Sequence, residues 1–153
     1  MDELAETPTD LAGLRRTTKG CYVCGEENAS GMHIPFSPEG DNGSTATYTA
    51  RREHEGWGGI LHGGVTFALM DEALGWALYF HGLSGVTARV ETRFRRPITV
   101  GTKVVIRGWS TGRRGRVVTA RAEIREDSPD RSLLAEADAT MFLLNLEATD
   151  QRR

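Results

Sequence analysis

His62 to Phe80, HGGVTFALMDEALGWALYF, is the stretch whose reading decides the fold. It opens on a glycine pair, runs apolar for more than four turns, and is closed by Gly82 and Gly85, so a helix is expected over about Gly64 to Phe80. Its apolar residues leave little of the circumference polar. Such a helix has to be surrounded by protein, because a surface helix would show one charged face. Asp71 and Glu72 interrupt the stretch, which is also shorter than the roughly 20 residues a membrane span needs. No membrane span is expected.

Extended segments flank the helix on both sides. Before it, Met32, Ile34 and Phe36 alternate, and Thr45, Thr47 and Thr49 alternate after the turn-forming Asp41-Asn42-Gly43, which predicts two strands. After it come Val86 to Arg95, Lys103 to Ser110, Arg116 to Arg125 and Leu133 to Leu144, rich in β-branched residues and bounded by Gly or Pro. Alternation puts Val86, Ala88, Val90, Thr92 and Phe94 on one face of the first of these, and Val118, Ala120, Ala122 and Ile124 on one face of the third. The order ββαββββ, with hairpins joining consecutive strands, implies an α+β fold in which an antiparallel sheet wraps the helix.

With 153 residues, the chain fits one domain with a real core. Residues 1–18 are polar and aperiodic and read as a flexible leader, 19–146 as the folded domain, and 147–153 as a tail. The start of the chain, with Asp2, Glu3 and Glu6, lacks the apolar run of a secretory signal, so a cytoplasmic location is expected. A net charge of -2 with interspersed signs excludes the concentrated basic face of a nucleic-acid module. Cys21 and Cys24 make a lone C-x-x-C, half of a zinc site without partners at finger-like spacing. A redox motif would sit at a strand-to-helix turn. The pair is therefore read as a buttress for the turn at Gly25, with no metal.

The helix start carries chemistry. The N–H groups of Gly63 and Gly64 belong to the first turn, whose donors lack intrahelical partners, and neither glycine has a Cβ to keep a carbonyl away. Asp71 falls mid-helix, where an isolated carboxylate costs several kcal/mol (~3–5) unless it is paired or functional. Glu72 lies about 100° further round the helix, so the two acids cannot serve one carbon. Asp71 is seven residues past Gly64, on nearly the same face but about 10 Å along the axis. For both to act on one carbonyl, two helices from different protomers must lie antiparallel across a two-fold axis. A homodimer or homotetramer is expected.

Gly59-Ile60-Leu61-His62-Gly63-Gly64, Asp71, Val86-Thr87-Ala88, Phe94-Arg95-Arg96-Pro97 and Gly101 resemble the hotdog-fold acyl-CoA thioesterases of the phenylacetyl-CoA and medium- and long-chain type, over about Gly20 to Leu144. Cys21-x-x-Cys24-Gly25 with Asn28 and Gly31 recurs in one branch of that family. The resemblance implies a hotdog fold and hydrolysis of an acyl-CoA to free acid and CoA, without cofactor. Gly63 would donate to the thioester carbonyl, Asp71 would act as base or nucleophile, and Thr87 would help hold the attacking water. His62 matches the motif histidine, orienting loop or substrate. Some members place an Asn before the H-G-G; here the stretch reads Gly56-Trp57-Gly58.

Gly64, Arg95 and Arg96 are candidates for substrate binding, the arginines for CoA phosphates, as are Arg113 and Arg114. Trp57, Trp76, Tyr79 and Phe80 are candidates for an acyl tunnel or, more simply, for core packing. A hydratase on the same scaffold would by resemblance carry an Asp and a His a few residues apart, a pair this helix lacks. The rival from another class is a non-catalytic acyl-CoA binding or sensing module, which has no use for a buried Asp71 or for Thr87.

Overall fold

The computed structural model describes residues 18–144; the expected leader, apart from Thr18, and the tail over 147–153 lie outside the described residues. Two short strands, β1 (Ser37–Glu39) and β2 (Gly43–Thr49), lead through a 3-10 turn at Arg52–His54 into helix α1 (Gly63–Tyr79). Four longer strands follow, β3 (Gly85–Phe94), β4 (Lys103–Arg114), β5 (Val117–Glu126) and β6 (Leu133–Leu143). All pairings are antiparallel, in one six-stranded sheet of order β1-β2-β4-β5-β6-β3. The helix contacts every strand. The expected α+β arrangement, one helix wrapped by an antiparallel sheet, is the one observed.

Burial explains why the sequence adopts it. Leu69 and Leu74 of α1 meet Val104, Ile106 and Ile124 of the sheet, all at 0% exposure. Val118, Ala120, Ala122 and Ile124 are buried on one face of β5, as their alternation requires. Helix and sheet approach so closely at Ala73 that a Cβ on Gly108 would come within 2.5 Å of the Ala73 carbonyl oxygen. Ser44 donates to that oxygen at 2.6 Å.

Three expectations need correction. The strand foreseen at Met32 to Phe36 is not a sheet strand: Met32 and Ile34 are buried, but they bond back to Tyr22 and Val23, and the ladder begins only at Ser37. His33, at φ 54, and Pro35, which has no N–H, break that run. Consecutive hairpins do not join all the later strands either. Strand β3 pairs with β6 at the far edge, and residues 95–102 carry the chain back to β4 on the other side of the sheet. That crossover is pinned by Leu61 N–H to Ile98 O, Val100 N–H to Gly59 O and Gly101 N–H to Ala50 O. Finally, a bulge between Thr87 and Arg89 breaks the alternation of β3. Ahead of it Thr87 pairs with the buried Met141, and beyond it Val90 pairs with Ala139, so Thr87 and Val90 share the inner face while Ala88 is exposed.

The helix is not covered all round by its own chain. Gly64, Ala68, Asp71 and Gly75 share one stripe at spacings of four, three and four; none is fully buried, and a Cβ on Gly75 would meet nothing within 4 Å. No helix among the described residues is long and apolar enough to cross a membrane.

Candidate active site

The loop before α1 is built on a buried pair. The Tyr48 hydroxyl and His54 Nδ1 lie 2.6 Å apart, and the tyrosine oxygen also accepts from the Arg51 N–H at 3.1 Å. His54 in turn accepts, through its carbonyl, the N–H of His62. Burial, reinforced by the Arg51 charge, holds the His54 imidazole below its usual pKa, so it is neutral at pH 7.

His62 caps the helix: its Nδ1 accepts the Gly64 N–H at 2.8 Å, which puts the proton of a neutral ring on Nε2. The Gly64 donor is thereby used internally, and a Cβ there would press to 3.0 Å from His62 Nδ1. Glycine at this position leaves room for the cap, a contact that no spacing in the sequence signals. No acceptor for the Gly63 N–H is found among the described residues. It sits at the positive end of the helix and at the mouth of a cleft of about 310 Å³.

Ile60, Phe94, Arg95, Arg96 and Pro97 line that cleft with Gly63, because the crossover after β3 is bonded to the loop before α1. The structure thus brings Gly63, Arg95 and Arg96 together. The two arginines differ: Arg95 Nε donates to Glu136 Oε2 at 3.2 Å, whereas the exposed Arg96 makes no side-chain ion pair among the described residues. The Arg95 hydrogen bond, aided by the charges of Arg95, Arg121 and Arg93, holds the Glu136 carboxyl below its usual range. Arg113 donates to the Gly115 carbonyl in the β4–β5 turn, and neither it nor Arg114 lines the cleft.

Asp71 and Thr87 do not line this cleft. They form a second group, in which Thr87 Oγ1 donates to Asp71 Oδ1 at 2.6 Å and both side chains are half-buried. Glu72 points elsewhere, as its 100° offset requires: it accepts from Trp76 Nε1 at 3.0 Å and from Cys21 Sγ at 3.4 Å. Core packing does not describe the aromatics. Trp57 is 93% exposed beside the left-handed Gly58 and Gly59, and Trp76 stacks on Phe80 at 4.9 Å with Tyr79 edge-on, at the partly exposed end of α1. The Cys21–Glu72 contact was not foreseen either, since its partners are 51 residues apart and no local spacing signals it.

The thioesterase superfamily family model matches residues 58–132, from the loop before α1 into the approach to β6. No curated protein matches the chain. Among solved structures, a thioesterase superfamily protein is 29% identical with a TM-score of 0.72, over 78% of this chain and 61% of that one. This chain therefore spans about three fifths of that protein's length. A Streptococcus mutans protein bound to acetyl-CoA is 18% identical, TM-score 0.67, over 72% of this chain and 88% of its own. The E. coli PaaI protein from the phenylacetic acid degradation operon is 19% identical, TM-score 0.67, over 72% and 79%. With the helix, the sheet order and the H-G-G loop in place, the chain has the hotdog fold, and over residues 58–132 it is similar to the thioesterase superfamily.

Proposed function

We propose that this chain, through a domain spanning residues 19–146, hydrolyses acyl-CoA thioesters to the free acid and CoA. The observation that carries the reading is the mid-helix carboxylate of Asp71, half-buried and held by the Thr87 hydroxyl on the open stripe of α1. Thioester hydrolysis asks for a carboxylate that takes a proton from water and for a donor aimed at the oxygen that becomes negative. Asp71 supplies the first and the Gly63 N–H the second. Water adds to the carbonyl carbon as its proton passes to Asp71. The tetrahedral intermediate then expels the CoA thiolate, which takes a proton in turn.

Eight residues of helix separate Gly63 from Asp71, about 12 Å at ~1.5 Å per residue, so one thioester carbon cannot touch both within one chain. We place the site between two protomers whose α1 helices lie antiparallel along the stripe of Gly64, Ala68, Asp71 and Gly75, where small residues allow close approach. Arg96, with Arg95 beside it, meets the CoA phosphates at the cleft mouth; the acetyl-CoA held by the S. mutans relative supports a ligand of this kind. His62 orients the loop by capping the helix.

Release of free thiol from short-chain, long-chain and aromatic acyl-CoAs, with wild type beside Asp71→Asn, tests the reading. The expected result is turnover in the wild type and a loss of at least about 10²-fold in kcat for the variant, with acyl-CoA binding retained. Binding without turnover in the wild type would favour the non-catalytic sensing module instead.

A further inference from the structure

The sequence offered Cys21 and Cys24 as half of a metal site lacking its other half. The fold supplies more of it from a distance. Glu72, on the rigid middle of α1, faces both cysteines, and one ligand atom from each of the three residues lies within 4.8 Å of the others. All three side chains are half-buried, so the cluster is reachable from solvent, and both cysteines are free. We propose that Cys21, Cys24 and Glu72 form a binding site for a thiophilic divalent cation of the zinc type, a clip between the segment before β1 and the helix that carries Asp71.

The spacing fits the ion. With Zn–S of about 2.3 Å and Zn–O of about 2.1 Å, a sulfur and an oxygen on one tetrahedral zinc stand roughly 3.6 Å apart. Cys21 Sγ is 3.4 and 3.5 Å from the two Glu72 oxygens. Both sides of the cluster are also held in place beforehand. Gly25 N–H bonds to the Cys21 carbonyl at 2.9 Å and Glu27 N–H to the Lys19 carbonyl at 3.0 Å, closing the turn around the cysteines. A Cβ on Gly25 would lie 2.5 Å from backbone atoms of Cys21 and Lys19, so the turn requires glycine. Met32 N–H to Tyr22 O and Ile34 N–H to Val23 O anchor the segment beyond. On the helix side, Trp76 Nε1 donates to Glu72 Oε1 and fixes the carboxylate, the kind of outer hydrogen bond that orients a ligand.

When a divalent ion binds, each thiol gives up its proton to solvent, and two thiolates and a carboxylate surround two positive charges, leaving a fourth position for water. This role is structural and independent of the hydrolysis proposed above.

Cobalt(II) titration of the freshly reduced full-length protein tests the proposal. Expected are a thiolate-to-cobalt charge-transfer band saturating at one ion per chain, its loss on adding zinc, and a zinc-dependent rise in Tm. Cys24→Ser should weaken the band and lower the affinity by more than about tenfold, and Glu72→Gln should weaken cobalt binding about tenfold or more. Glu72→Gln is isosteric and still accepts from Trp76, so it reads the loss of a ligand even if a serine variant folds poorly. The absence of a charge-transfer band, a band unchanged in both variants, or a Cys21–Cys24 disulfide in air with no cobalt uptake after reduction would each overturn it.

Discussion

Thr87 Oγ1 donates a 2.6 Å hydrogen bond to Asp71 Oδ1 across the gap between β3 and α1. It does so because the bulge at Thr87/Arg89 turns Thr87 to the inner face of its strand. A hydrogen bond to a charged group contributes about 1.5–3 kcal/mol, so Thr87→Val should lower kcat on the order of 10- to 100-fold with little change in KM. Thr87→Ser should restore most of it. Steady-state kinetics of the two variants decide, and an unchanged kcat in the valine variant would remove Thr87 from the site.

Arg96 and Arg95 border the same cleft but are not equivalent. Glu136 already accepts from Arg95. Arg96→Ala should therefore raise KM for acyl-CoA roughly three- to tenfold, more at low salt, and leave KM for a thioester of N-acetylcysteamine, which has no phosphates, unchanged. An equal rise for both substrates would assign Arg96 to the acyl or carbonyl end.

Much of this was legible in the sequence because the signals are local. The helix from His62, the inward face of Val118 to Ile124 and the acid at Asp71 follow from periodicity and from the cost of burying charge. The H-G-G loop was legible as a candidate site, but the hydrogen bonding inside it was not: that His62 uses up the Gly64 donor depends on a ring orientation no spacing encodes. Alternation assigned Thr87 to the wrong face, since one extra residue in a strand inverts everything before it. The β3–β6 pairing and the Cys21–Glu72 contact were illegible for a related reason, being meetings of distant segments fixed by the crossover and by the whole sheet.

His54 links stability to pH. Its folded pKa lies below its usual value of about 6.5, chiefly because it is buried. The unfolded chain therefore binds the proton more readily, so the contribution of neutral His54 is complete above about pH 6.5 and is lost as pH falls below it toward the folded pKa. Urea midpoints measured from pH 8 to pH 5 should fall over the acidic half. They should fall less steeply in His54→Gln, although that variant is less stable throughout because Tyr48 loses its partner.

The placement of Asp71 and the Gly63 donor in different protomers is tested most directly by mixing two inactive variants. Asp71→Asn and Gly63→Val are unfolded together, refolded, and assayed for thiol release from an acyl-CoA. In a mixed dimer one site combines an intact Gly63 with an intact Asp71, so random pairing should recover about a quarter of wild-type activity. No recovery, with mixed dimers demonstrated, would mean that a single chain holds both groups and would contradict the two-protomer site.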